Sequence, residues 1–200
     1  MRPKYQEKIF MKIKSLFLAT LVGFLALSTA SAKSLVVYFS HTGENYAVGN
    51  ISEGNTAIIA KMIAAKTGSD IFEIIPEEDY PSSYKACTDV AKAEQKQKAR
   101  PAYKGEVDTS GYDTIYIGYP IWWGDLPMVV YTFLEKHDLS GKTILPFCTH
   151  EGSGVSGTDG KIKRLYKNAT VKKALAVRGS TAQNEREETE KVVDEWIKKI

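Results

Sequence analysis

The run Gly118-Tyr-Pro-Ile-Trp-Trp-Gly-Asp-Leu-Pro127 sets two adjacent tryptophans beside a glycine, directly after the β-branched and aromatic run Tyr112–Gly118. That run reads as a buried central strand, so the tryptophans leave its core register and offer flat aromatic area at its carboxyl end. In an open α/β sheet this edge is where ligands bind. A planar, redox-active ring is the ligand such a loop suits best. Adjacent side chains point in different directions, so at most one tryptophan faces the ligand, and isolated tryptophans are more often core or interface residues. Gly124 adds a peptide that reorients at little cost, because glycine tolerates positive φ.

Two further segments carry chemistry. Ser40-His-Thr-Gly-Glu44 continues to Gly54-Asn-Thr56, where a helix is expected to begin. Hydroxyls, glycines and a helix N-terminus make an anion site, since free amide groups and the helix dipole both favour a phosphate. No Lys or Arg is present, which excludes a P-loop of the nucleotide-hydrolysing type. An ordinary turn capping a helix is the plain alternative. The other segment, Thr149-His-Glu-Gly-Ser-Gly-Val-Ser-Gly157, is rich in backbone that can approach a ligand closely. His150 invites an acid/base role because imidazole titrates near neutral pH, but no partner for it is visible. Glu151 reads as solvated or as a loop hydrogen-bond acceptor.

These loops need strands to hold them, and strand and helix patterns alternate along the chain. Expected strands are Ser34–Ser40, Asp70–Ile75, Tyr112–Gly118, Thr143–Thr149 and Thr170–Val177. Expected helices are Asn55–Thr67, Ser82–Ala99, one opening at Asp125-Leu-Pro127 with Asp as cap, Thr158–Tyr166, and Asn184–Ile200. The alternation predicts an α/β fold, a doubly wound five-stranded parallel sheet with helices on both faces.

Leu16–Leu27 is an apolar run of twelve residues, preceded by Lys12 and Lys14 and followed by Ala30-Ser31-Ala32. This predicts a signal peptide over residues 1–32, a domain over 33–200, and an exported protein, periplasmic or extracellular, with no permanent membrane span after removal of the signal. The first 32 residues hold five of the 27 Lys/Arg and one of the 24 Asp/Glu, leaving 22 against 23. A near-neutral domain without a basic stripe gives no support to nucleic-acid binding. Cys87 and Cys148 are far apart in sequence and do not by themselves predict a disulfide.

With Gly-Tyr-Pro-Ile-Trp-Trp at 118–123 and Pro-Phe-Cys-Thr-His-Glu-Gly-Ser-Gly at 146–154, the chain resembles a bacterial flavodoxin family over essentially all of Ser34–Ile200. The resemblance implies strand order 2-1-3-4-5 and non-covalent binding of FMN. It implies that Ser40, Thr42, Asn55 and Thr56 hold the phosphate. Pro120, Ile121, Trp122, Trp123 and Gly124 would line the flavin ring, with Trp123 the stacking residue. Thr149, His150, Glu151, Gly152 and Gly154 would close its remaining side. The chain departs from the pattern in two places. Asn45–Gly54 interrupts the phosphate loop, and Thr149–Gly157 has no Tyr, Trp or Phe to cover the outer face of the ring, which Tyr84 or Tyr46 would have to supply.

The resemblance implies electron transfer through the flavin, to a redox partner protein or a small-molecule acceptor. Two alternatives stand beside it. One is a nicotinamide-dependent quinone-type reductase with His150 as proton donor. The other is a flavin-free interaction module, since fold alone does not fix function. The near-neutral charge sits less well with an acidic carrier steered toward basic partners.

Overall fold

A computed structural model describes residues 33–200; the apolar run Leu16–Leu27 and the expected cleavage site lie outside the described residues. The sheet is built on β1 (Ser34–Tyr38), which is flanked in parallel by β4 (Asp70–Glu73) and β7 (Thr114–Pro120). Next to β7 runs β8 (Thr143–His150), and β10 (Leu175–Arg178) closes the order β10-β8-β7-β1-β4, all parallel. This is the expected doubly wound fold, with the second strand outside the first.

Each central strand is apolar on both sides because both faces of the sheet are covered, as a parallel sheet requires. Leu35, Val37, Ile115, Ile117 and Tyr119 pack to one side, against Val129, Val130 and Phe133 of α3 (Met128–Lys136). Val36, Tyr38, Tyr116, Leu145 and Phe147 pack to the other, against Ile58, Ile59 and Ile63 of α1 (Asn55–Thr67) and Val193 of α6 (Arg186–Ile197). The strand period of two thus separates the two cores.

Several boundaries differ from expectation, each for a local reason. Asp70–Ile75 stops as a sheet strand at Glu73. Ile75–Pro76 becomes β5 and pairs antiparallel with β6 (Tyr103–Lys104), outside the main sheet. Thr170–Val177 divides into β9 (Thr170–Val171) and β10, which pair with opposite ends of β8. The C-terminal helix is broken at Glu185, whose φ of −130° and ψ of 60° leave the helical region between α5 (Gly179–Asn184) and α6. The Asn45–Gly54 interruption carries an antiparallel hairpin, β2 (Gly43–Asn45) and β3 (Gly49–Ile51). Tyr84–Gln97 forms α2 and Thr158–Leu165 forms α4.

Asp125 does not cap the helix that follows it. Its backbone is committed to a reciprocal pair with Trp122, at 2.9 and 3.0 Å, so α3 begins only at Met128, with Pro127 in the capping position.

Gly118, in the middle of β7, has a packing role. A Cβ there would lie 2.1 Å from the ring of the fully buried Phe147 on β8. Gly118→Ala is therefore expected to destabilise the domain by roughly 1–3 kcal/mol, the scale of overpacking. Urea unfolding checks this, and an unchanged midpoint would mean that Phe147 moves aside freely.

Candidate functional site

The carboxyl ends of β1, β7 and β8 lie side by side, because Tyr38 pairs with Gly118 and Pro120 with Thr149. The loops leaving those three ends border a cleft of about 340 Å³. Nine of the expected residues line it: Asn55, Pro120, Ile121, Trp122, Trp123, Gly124, Thr149, His150 and Glu151. Ser40, Thr42, Thr56, Gly152 and Gly154 do not, although Ser153 between the two glycines does.

At one end of the cleft the N-terminus of α1 is open. Its capping residue, Gly54, has no side chain to offer, and the backbone N–H groups of Asn55 and Thr56 have no protein acceptor among the described residues. Ser40 Oγ accepts the next N–H, from Ala57, at 3.0 Å. Nothing larger than glycine fits at position 54, where a Cβ would come within 2.2 Å of that hydroxyl. At Thr56 the backbone N–H has no protein partner among the described residues, whereas the side chain has one. Its hydroxyl is buried and paired with the Thr149 hydroxyl at 2.8 Å, tying α1 to β8. Thr42 is exposed on the loop outside the cleft.

The middle wall is the turn Trp122–Asp125. Its two central residues, Trp123 (φ 51°) and Gly124 (φ 71°), both adopt the left-handed conformation, which costs a non-glycine residue about 1 kcal/mol or more. Helix α2 holds Trp123 there. The indole N–H donates to the Thr88 carbonyl at 2.9 Å, Lys92 Nζ lies 4.6 Å from the ring centre, and Gln95 Nε2 donates to the Trp123 carbonyl at 3.3 Å. Trp123 stays 50% exposed. Trp122 turns the other way and packs edge-on against Phe39, His41 and Tyr80. The Asp125 carboxylate secures the turn from behind, accepting from the Leu126 N–H at 2.8 Å and the Tyr131 hydroxyl at 2.9 Å, and pairing with Lys161 at 2.7 Å.

The third wall is Thr149–Ser153. Glu151 is not free in solvent. Its carboxylate accepts the Ser180 N–H at 2.6 Å and the Ser180 hydroxyl at 3.1 Å, at the start of α5. His150 Nδ1 accepts the Gly152 N–H at 2.9 Å, so the neutral ring carries its proton on Nε2. Burial, and then the positive charge of Arg178, pushes this imidazole below its ordinary value. His41 is also lowered, chiefly by burial.

The cleft has a fourth wall that the strand-end loops do not announce. Tyr84, Cys87, Thr88 and Ala91 of α2 line it, together with Glu44, Asn45 and Tyr46 of the hairpin and its neighbour His41. Burial pushes the Cys87 thiol up to about 11 and Cys148 to about 12, and both thiols are free. Neither is a thiolate nucleophile near neutral pH.

The sequence model of the family described as Flavodoxin matches residues 33–200. A candidate flavoprotein from Bacteroides uniformis is similar at 30% identity and TM-score 0.64, over 84% of this chain and 99% of that one. Another, from Bacteroides eggerthii, is 30% identical with TM-score 0.60, over 80% and 98%. The flavoprotein of Lactobacillus acidophilus in complex with FMN shares the fold at 21% identity and TM-score 0.58, over 78% and 98%. No curated protein matches the chain.

His150 supplies a direct check on this geometry. NMR is expected to find its folded pKa below 6.5 and its proton on Nε2. The unfolded chain then takes up this proton first. Stability from this group is full above 6.5 and is lost as pH falls through the unfolded value. A His150 pKa above 6.5 would contradict the lowering by burial and by the Arg178 charge.

Proposed function

Because the chain belongs to the flavodoxin family, we propose that it binds FMN without a covalent bond and passes electrons through it. The observation that carries this reading is the union of an open helix N-terminus and an aromatic cleft, along one sheet edge. Bound there, the flavin supplies the redox chemistry, and the protein supplies position and electrostatics.

The phosphate is assigned to the N-terminus of α1. The backbone N–H groups of Asn55 and Thr56 donate to it, with the Ser40 hydroxyl beside them and Thr42 outermost on the same loop. The ring is assigned to the space between Pro120–Gly124 and Thr149–Gly154, with Trp123 as the stacking residue. His150 presents Nε2–H as a hydrogen-bond donor there, since Nδ1 is already an acceptor. Glu44 and Glu151 line the cleft, and no Lys or Arg among the described residues does. Negative charge gained on reduction is therefore disfavoured. Electrons leave to a redox partner protein or a small-molecule acceptor.

Two variants test the assignment in one titration. Ser40→Ala is expected to weaken FMN by about 1–2 kcal/mol, because one charge-assisted contact and the order of the helix terminus are lost, while riboflavin is little affected. Trp123→Ala is expected to weaken both ligands alike by about 1–3 kcal/mol, the scale for stacking on a flat ring. Equal loss of both ligands in Ser40→Ala would remove the phosphate from this helix.

We further propose that the apolar run Leu16–Leu27 and Ala30-Ser31-Ala32 act as a signal peptide, sending the domain to the periplasm or the medium. No helix among the described residues is long and apolar enough to cross a membrane. Exported protein is expected to begin at Lys33. N-terminal sequencing of exported material that reads through residues 16–32 would contradict this.

A further inference from the structure

At β10 the main sheet stops. This strand pairs with β8 on one side and, among the described residues, with no strand on the other. A groove of about 430 Å³ lies at the amino end of β10, and Ala174 and the first two strand residues, Leu175 and Ala176, border it in succession. Neighbouring residues in a strand point to opposite faces, so the strand's edge, backbone included, faces the groove.

The other bank is the end of α6. The Trp196 indole N–H donates to the Lys173 carbonyl at 3.2 Å, and its ring packs edge-on against Tyr116 with centres 5.9 Å apart. Val192 lies one turn earlier on the same bank, and Ile200, 40% exposed, lies beyond the helix end. The fold thus builds an apolar side to the groove and fixes it in place.

The charge around it is mainly positive. Lys172, Lys173 and Lys199 border the groove against one acidic side chain, Glu195, which Lys199 meets at 3.5 Å. Lys172 and Lys173 are exposed and have no carboxylate partner among the described residues.

These features select an occupant. An open edge takes an extended backbone, the apolar bank an aliphatic side chain, and the lysines carboxylates. A second copy offering the same edge would set lysines against lysines. One offering Asp70–Glu73 of β4, the opposite edge of the sheet, would add copies head to tail without closing. A bilayer surface has no strand to pair with an open edge.

We propose that the open edge of β10 is a docking site for an extended acidic segment of a partner protein. The segment adds as a further strand, with carboxylates on Lys172 and Lys173 and an aliphatic side chain against Trp196. A partner docked there leaves the cleft free, because the cleft lies at the carboxyl ends of the strands and the groove at the amino end of β10.

The test is an NMR titration of the domain with an end-blocked pentapeptide alternating glutamate and valine, and with its lysine–valine counterpart. The glutamate peptide is expected to shift the Leu175–Arg178 amides and the Trp196 indole N–H and to slow hydrogen exchange along β10. The lysine peptide is expected to do neither. Lys172→Glu/Lys173→Glu is expected to weaken the glutamate peptide about tenfold, since two exposed ion pairs give way to like charges. The melting temperature and FMN affinity of this variant are expected to stay as in wild type, because groove and cleft share no residue. No shift at β10 overturns the docking site, as does equal binding of the two peptides or undiminished binding by the variant. Shifts at the lysines without slower exchange along β10 would mean contact without strand pairing, and also overturn it. Phosphatidylglycerol vesicles that bind wild type but not the variant, where the peptide fails, would give the surface to a membrane instead. Sedimentation that finds wild type self-associated and the variant monomeric would give it to a second copy.

Discussion

The cleft depends on the pairing of β7 with β1 on one side and β8 on the other. Tyr38 opposite Gly118, and Pro120 opposite Thr149, bring three chain reversals to one edge at one height. Shifting a strand by one residue would send its inward side chains to the opposite face. Neither core would accept that, since Tyr116 and Ile117 are buried on opposite sides of the sheet. The packing that stabilises the fold therefore also fixes the spacing of the loops. Gly118 shows how tightly the two are joined, because the ring of Phe147 occupies the space its side chain would need.

On that frame the Trp122–Asp125 turn stores a modest strain. Two consecutive left-handed residues match the twist of a tight two-residue turn, but tryptophan is a poor choice for the first of them. The surroundings offset the cost from two directions. Helix α2 grips the indole, the ring face and the carbonyl of Trp123, while Asp125 is gripped from behind by Tyr131 and Lys161. Strain held this way persists because the surroundings over-determine the turn. The turn holds Trp123 half-exposed at the cleft while Trp122 packs inward.

Much of this was legible in the residues. Central strands buried on both faces show as continuous apolar runs, and the loops after them stand out through Gly, Trp, Ser and His. Of the α2 wall only Tyr84 was legible, because Thr88 and Gln95 meet Trp123 across 35 and 28 residues and nothing local marks them. Asp125 looked like a helix cap because Asp-Leu-Pro has that local form; its backbone pair with Trp122 decided otherwise. Thr56 has a partner that the sequence does not show. Its place at a helix start suggests a ligand-binding hydroxyl, yet Thr149 of β8 already takes that group. The hairpin was hidden by its brevity, since strands of three residues carry no periodicity.

In the proposed site the phosphate is recognised without a cation, and that constrains everything else there. A helix terminus acts through fixed dipoles and amide groups at short range, so it selects a phosphate by position more than by charge. With the carboxylates of Glu44 and Glu151 in the same cleft, long-range attraction for anions is weak, and an anionic ligand must reach the terminus itself to bind. One such terminus accommodates one phosphate. The remaining walls offer rings, hydroxyls and backbone, which reward flat and uncharged chemistry. In the proposed site a near-neutral domain can hold the charged end of its cofactor at the helix terminus and the flat ring against the remaining walls. Strong acidity would add steering toward basic proteins, but the cleft does not require it.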